Sequence, residues 1–235
     1  FKCFNNCNTI VGEMTLNSID NKKKLYNAAI MPQGVTIDKL ISEENYKIVD
    51  TELKDVLKIG LKDLSVMQPN LILNIYRTEV YKKILGYKGD YQLDSFFQFI
   101  GNEKGKEIIG LETAEKQISI LFDTTNLKKQ AEILVESIVN KKKTIDNMLK
   151  LNKLYKSGDL ESLLIMAKSQ MEVAEKSDSE FTKTVNDRNA LWIKQLPFFM
   201  KKSSCFITVD AKNLPGETGL IKLLEKSGYK VKPVI

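Results

Sequence analysis

The chemistry this sequence can offer rests on Glu13, Glu112, Arg188, Asp210 and Asn213. Glu13 lies in the middle of an otherwise apolar, alternating stretch, residues 9–16, where a carboxylate is costly to bury unless it is paired. Glu112 follows Gly110 and Leu111 at a crossing from strand to helix. Arg188 is, with Arg77, one of only two arginines, and a guanidinium fork can hold a carboxylate through two bonds. Asp210 and Asn213 occupy the loop that leaves an apolar, β-branched segment, residues 205–209. Ligands of open α/β sheets collect just outside the carboxyl ends of strands, so this loop is a natural place for a site.

Each residue also has a plainer reading. Glu13 suits the solvent side of an edge strand. Glu112 suits a helix N-terminus, where a carboxylate stabilises by roughly 0.3–1 kcal/mol. Arg188 suits an ion pair along its helix, and Asp210 with Asn213 suits an Asx turn. One absence bounds the alternatives: the chain contains no histidine. That removes the commonest general base, the commonest zinc ligand and every Ser-His or Cys-His arrangement.

The elements that must position these groups follow from periodicity. Leu191, Ile193, Leu196, Phe198 and Phe199 form an apolar helix end, residues 205–209 a short strand, and residues 210–215 its exit loop. Gly216 and Glu217 are expected to open a helix with Leu220, Ile221, Leu223 and Leu224 on one face, closed by Gly228, and residues 229–234 to form a last strand. Upstream, residues 106–110 read as a strand, and Thr113 caps a helix carrying Gln117 and Ile118. Helical faces recur at Tyr46, Val49, Leu53, Val56 and Leu57, then at Ile72, Ile75 and Tyr76 after Pro69, and through residues 125–176, including Met171. No repeat or low-complexity linker interrupts the 235 residues, which are therefore read as one domain.

Composition narrows the partners. An apolar share of 43% is ordinary for a globular chain. The net charge of +6 comes from short lysine runs, such as residues 22–24 and 141–143, which suit solvated helix surface. Specific nucleic-acid binding leans on arginine and aromatic platforms and is not expected. No apolar run approaches the roughly 18 residues that span a bilayer, so membrane insertion is not expected either. Cys3, Cys7 and Cys205 lack metal-ligand spacing and leave two options: three free thiols, or one disulfide and one free thiol.

Several of these segments resemble one family. Gly110-Leu111-Glu112-Thr113 followed by Gln117, and Arg188-Asn189 followed by Leu214, Gly216, Gly219, Gly228, Tyr229, Pro233 and Val234, are similar to the signatures of the TraB/GumN family. That family includes the TIKI-type proteases and is related to the erythromycin esterases. Val11-Gly12-Glu13 resembles its early strand ending in glutamate, and residues 67–69 and Leu93-Asp94 match more loosely. The resemblance implies a metal-dependent peptidase or hydrolase with a divalent metal, in an extracytoplasmic (periplasmic or secreted) location. The site glutamate would be Glu13 and the helix arginine Arg188. The chain departs at the two Gly-x-x-His motifs. Asp210 stands for the glycine and Asn213 for the histidine of the second, and the strand bearing the first would lie before residue 1.

The expected protein is thus an α/β, helix-rich single domain over residues 1–235, with a small central sheet built from residues 9–16, 106–110, 205–209 and 229–234. Glu13, Glu112 and Arg188 are the candidate catalytic groups, Asp210 and Asn213 the candidate ligand-binding groups, and no metal or other cofactor is expected to be held. The expected function is a degenerate, hydrolase-like family member that binds a peptide or small ligand without catalysis. Alternatives are an active metal-dependent hydrolase whose first strand lies outside this sequence, and a structural or partner-binding helical protein. Loss of a first strand would leave residues 9–16 as an edge for a partner, ligand or dimer contact.

Overall fold

The computed structural model describes residues 2–16, 18–89, 92–122, 124–173 and 182–234. The end of the expected helical run, residues 174–176, lies outside the described residues, as does the side chain of Met171. In chain order come α1 (Lys2–Asn5), β1 (Thr9–Gly12), α2 (Ile19–Ala28), α3 (Glu43–Leu57), α4 (Pro69–Leu85) and α5 (Leu93–Glu103). They are followed by β2 (Glu107–Gly110), α6 (Ala114–Leu121), α7 (Leu127–Val139), α8 (Lys141–Ser157) and α9 (Leu160–Val173). The chain then runs through α10 (Asp187–Lys202), β3 (Cys205–Ile207) and α11 (Leu220–Lys226). This is the expected class: helix-rich α/β with one small sheet.

The chain divides into two compact units, one of residues 1–17, 91–113 and 151–235, the other of residues 18–90 and 114–150. The second unit is helical. Its core joins Val49 and Leu53 of α3, Ile72, Leu73, Tyr76 and Val80 of α4, and Ala131, Leu134 and Ile138 of α7. These are faces that helical spacing predicts. Ser42 caps α3 through the Asn45 N–H, and Pro69 occupies the first turn of α4, where its missing N–H costs nothing.

The first unit carries the sheet, which is parallel with strand order β2-β1-β3. Thr9 pairs with Glu107 on one side and with Cys205 on the other. Residues 9–16 are therefore not an edge. They contribute the central strand, all four residues of β1 are buried, and β2 and β3 form the edges. One face of the sheet packs on α1 and α5, with Phe4, Phe97 and Phe206 in mutual ring contact. Gly101 lets α5 approach closely, since a Cβ there would stand 2.8 Å from Ile10 Cγ1. The other face buries Val11 and Leu111 against Trp192 and Leu196 of α10 and Leu220 of α11.

Three further expectations are corrected. Residues 229–234 form no strand: they pair with none of the described strands and are mostly exposed. Strand-forming composition without a partner to supply the ladder does not make a strand. The last helix starts at Leu220, with Gly219 as N-cap, because Gly216 adopts φ +85° and turns the chain first. The first strand stops at Gly12 rather than running to residue 16.

Candidate functional site

The stop at Gly12 has a local cause. A Cβ on Gly12 would meet Gln98 Nε2 at 2.5 Å, and one on Gly110 would meet the backbone N of Thr15 at 2.8 Å. These glycines let the chain fold over the strand ends. There the buried Gln98 donates to the Met14 carbonyl and accepts from the Leu16 N–H, each at 2.9 Å. The Glu112 N–H bonds the Glu13 carbonyl at 2.8 Å. The two candidate carboxylates are thus tied together through their backbones at the carboxyl ends of β1 and β2.

From the other side comes α10, entered through a π-helical turn, Thr182–Asn186. Arg188 Nε donates to Glu112 Oε1 at 2.8 Å, and Nη2 donates to Glu112 Oε2 at 3.1 Å and to Glu13 Oε2 at 2.5 Å. Nη1 donates to the Thr184 carbonyl at 3.3 Å. One turn on, Trp192 donates from Nε1 to Glu112 Oε1 at 3.0 Å and lays its ring 4.5 Å from the guanidinium carbon. The side chains of Arg188 and Glu112 are each 4% exposed, while that of Glu13 is 19% exposed. Burial works against the charge of Arg188, but the hydrogen bonds it donates to Glu112 and the charge of Glu13 outweigh it and raise its pKa. The guanidinium stays charged within a mostly dry pocket of carboxylate and indole.

The β3 exit loop completes the arrangement. The Asp210 N–H donates to Glu13 Oε1 at 2.9 Å. The Asp210 carboxylate caps the short 3₁₀ turn Ala211–Asn213 and pairs with Lys212 Nζ at 3.0 Å. The Asx-turn geometry and the convergence on Glu13 therefore coexist in one loop. Asn213 is fully buried and donates from Nδ2 to the Asp210 carbonyl at 3.3 Å. Asn189, beside Arg188 on α10, donates to the carbonyls of Asn213 and Thr218 at 3.0 and 2.9 Å. The structure thus brings together Glu13, Glu112, Arg188 and the Asp210–Asn213 loop. It also places Asp94, from the first turn of α5, within the fields of Glu13 and Asp210. Burial, then those two charges, push the Asp94 carboxyl above its ordinary range.

Trp192, Gln98 and Asp94 were not among the candidates. Trp192 had a signal: it is the only tryptophan and lies four residues after Arg188, on the same helical face. Asp94 had only its place beside Leu93, and Gln98 had none, since both act through tertiary proximity.

A divalent metal does not suit this donor set. Glu13 spends one oxygen on Arg188 and the other on the Asp210 N–H. Glu112 is clasped by Arg188 and Trp192, and the Asn213 amide is enclosed in its loop. Among the described residues no group of three or more His, Cys, Asp or Glu side chains is placed to hold an ion. A catalytic zinc needs about three such ligands and an open position.

A parallel sheet between helices, with carboxylates and a buried arginine gathered at its strand ends, makes the molecule a helix-rich α/β protein with a charged cluster at the strand ends. Within that class, the TraB/PrgY/gumN family model matches residues 2–233, and the chain belongs to this family. No curated protein and no solved structure matches it. Among the described residues no helix is long and apolar enough to cross a membrane.

Proposed function

We propose that this chain is a TraB/PrgY/gumN-family domain that has given up hydrolysis and binds a peptide or small molecule through a cationic group at its strand ends. The observation that carries this reading is the division of labour within the cluster. Arg188 and Glu112 spend their hydrogen bonds on one another and on neighbouring protein groups. Asp210 is ion-paired with Lys212, so the partly exposed Glu13 and the half-buried Asp94 are what leave the mouth of the cluster negative. An ammonium group, such as a peptide's amino terminus or a lysine side chain, complements that charge. Glu112 and Arg188 then act as the frame that aims Glu13, and Asn213 shapes the loop from within. An extracytoplasmic location belongs to the same proposal, on the family resemblance alone.

The test is binding of short peptides with a free amino terminus against their N-acetylated counterparts, followed by calorimetry and by mass spectrometry for cleavage. The expected result is preference for the free amine, a tenfold or greater loss on Glu13→Gln, and no cleavage. Preference for anionic peptides would overturn the ligand class. Cleavage abolished by Glu13→Ala would overturn the absence of catalysis. One observation favours a second reading, hydrolysis by carboxylates alone. Asp94 holds its proton above the usual carboxylate range beside Glu13, which is what a general acid next to a base requires. The same cleavage assay, with Asp94→Asn added, separates the two.

A further inference from the structure

The helical unit holds a groove of about 480 Å³ between α7 and the segment that leads into α3. Its floor is the outer layer of that unit's core, since Leu40, Ile41 and Val135 pack against the buried cluster and also line the groove. Along α7 the lining follows Glu132, Val135, Glu136 and Val139, the i, i+3, i+4, i+7 spacing of one helical face. Val139 is 55% exposed, so the apolar part of that face is left open. Glu132 and Glu136 carry like charge four residues apart, an arrangement that works against its own helix. Neither makes an ion pair or a side-chain hydrogen bond among the described residues, although the chain carries 36 Lys and Arg against 30 Asp and Glu. This face lacks both a cation and an apolar cover.

The same unit carries a helix with the opposite pattern. No residue of α2 is buried, and Ile19 is 82% and Tyr26 62% exposed. With Lys22 and Lys23, also exposed, they form a stripe at i, i+3, i+4 and i+7. Lys24 is taken up by Glu115 of α6 at 2.6 Å, whereas Lys22 and Lys23 make no ion pair or side-chain hydrogen bond among the described residues. Two acids and two aliphatic groups on one helix thus answer two bases and two large apolar groups on another, each over two turns. We propose that the chain associates with a second copy of itself, α2 of one copy lying in the groove between α3 and α7 of the other. Ile19 and Tyr26 cover the apolar floor, and Lys22 and Lys23 meet Glu132 and Glu136. Apolar burial supplies the attraction, and the charges select which faces meet. A contact of one short helix is small, so it is transient and forms as concentration rises. The association lies outside the strand-end cluster and does not depend on the function proposed above.

The experiment measures the weight-average mass of the full chain by analytical ultracentrifugation over a series of concentrations, at low and at high salt. The expected result is a mass that rises with concentration and falls back as salt is added, since salt screens exposed charges. A limiting mass of two chains means reciprocal seating about a two-fold axis, and continued growth means a head-to-tail contact; either supports the proposal. Lys22→Glu with Lys23→Glu, or Glu132→Lys with Glu136→Lys, should each weaken self-association by roughly tenfold or more, because like charges are then set together. Mixing the two double variants should restore it, because each then offers the other a complementary face. All four positions are exposed, so the variants keep the fold, which circular dichroism checks. A mass of one chain at every concentration, association that ignores the charge reversals, or no recovery in the mixture would each overturn the proposal.

Discussion

Replacing Arg188 with methionine should unfold this protein more readily than almost any other single change. The substitution keeps length and apolar volume but removes the only guanidinium in the cluster. It deletes two bonds to Glu112 and one to Glu13 and leaves Glu112, its side chain 4% exposed, without its counter-charge. Stripping one partner from a buried ion pair costs about 3–5 kcal/mol. That is a large fraction of the roughly 5–15 kcal/mol by which domains are stable. For a chain of this size it corresponds to a fall in Tm on the order of 10 °C. Arg188→Lys keeps the charge but loses the fork, so it should recover only part of the loss. Urea unfolding followed by fluorescence is well suited, since the single tryptophan, Trp192, stacks 4.5 Å from the guanidinium. A double-mutant cycle with Glu112→Gln should show coupling above about 1 kcal/mol, because the second change relieves the charge stranded by the first. A loss below about 1 kcal/mol for Arg188→Met, or additive effects in the cycle, would refute the view that this pair is the frame of the site.

Other perturbations probe the neighbouring parts. Gly110→Ala should cost about 1–3 kcal/mol in chemical denaturation, because its Cβ would press on the backbone at Met14 and Thr15, which cannot swing aside as a side chain can. Burial and then the charges of Glu13 and Asp210 raise the Asp94 carboxyl, so its ionised form opposes folding. That opposition is absent below the unfolded carboxyl's pKa and grows as pH rises through the higher folded value. Asp94→Asn should therefore melt above the wild type at pH 7 and level with it near pH 3, a comparison that differential scanning calorimetry makes directly. Asn213→His should neither restore peptide cleavage nor leave stability untouched. The site is fully buried, so a bulkier ring should cost about 1–3 kcal/mol in the same denaturation assay.

Much of this arrangement was legible because chemistry that is costly to bury needs company. Glu13 in an apolar stretch and Arg188 as one of two arginines each implied a partner, and the structure supplies them to one another at 2.5 Å. The sheet was less legible. A central parallel strand is covered on both faces, so the alternation of residues 9–16 could not say whether β1 was an edge or the middle. Tyr229, Val231 and Val234 have the side chains of a strand but no ladder to join, and a partner's absence leaves no mark on composition. Asp94 and Gln98 of α5 enter the site only because Gly101 lets that helix press against Ile10 and Ile108. Such a meeting of segments far apart in sequence has no local signature.

On the reading proposed above, the cluster of Glu13, Glu112 and Arg188 is an ion-paired frame for binding rather than a metal-dependent catalytic centre. Calorimetric titration of the purified chain with zinc, with peptide cleavage followed in the same samples, tests it most directly. The expected result is no stoichiometric zinc binding at sub-micromolar concentration and no cleavage with or without metal, while Glu13→Ala changes only stability and ligand binding. Sub-micromolar binding of one zinc per chain, or cleavage that Glu13→Ala abolishes, would contradict it.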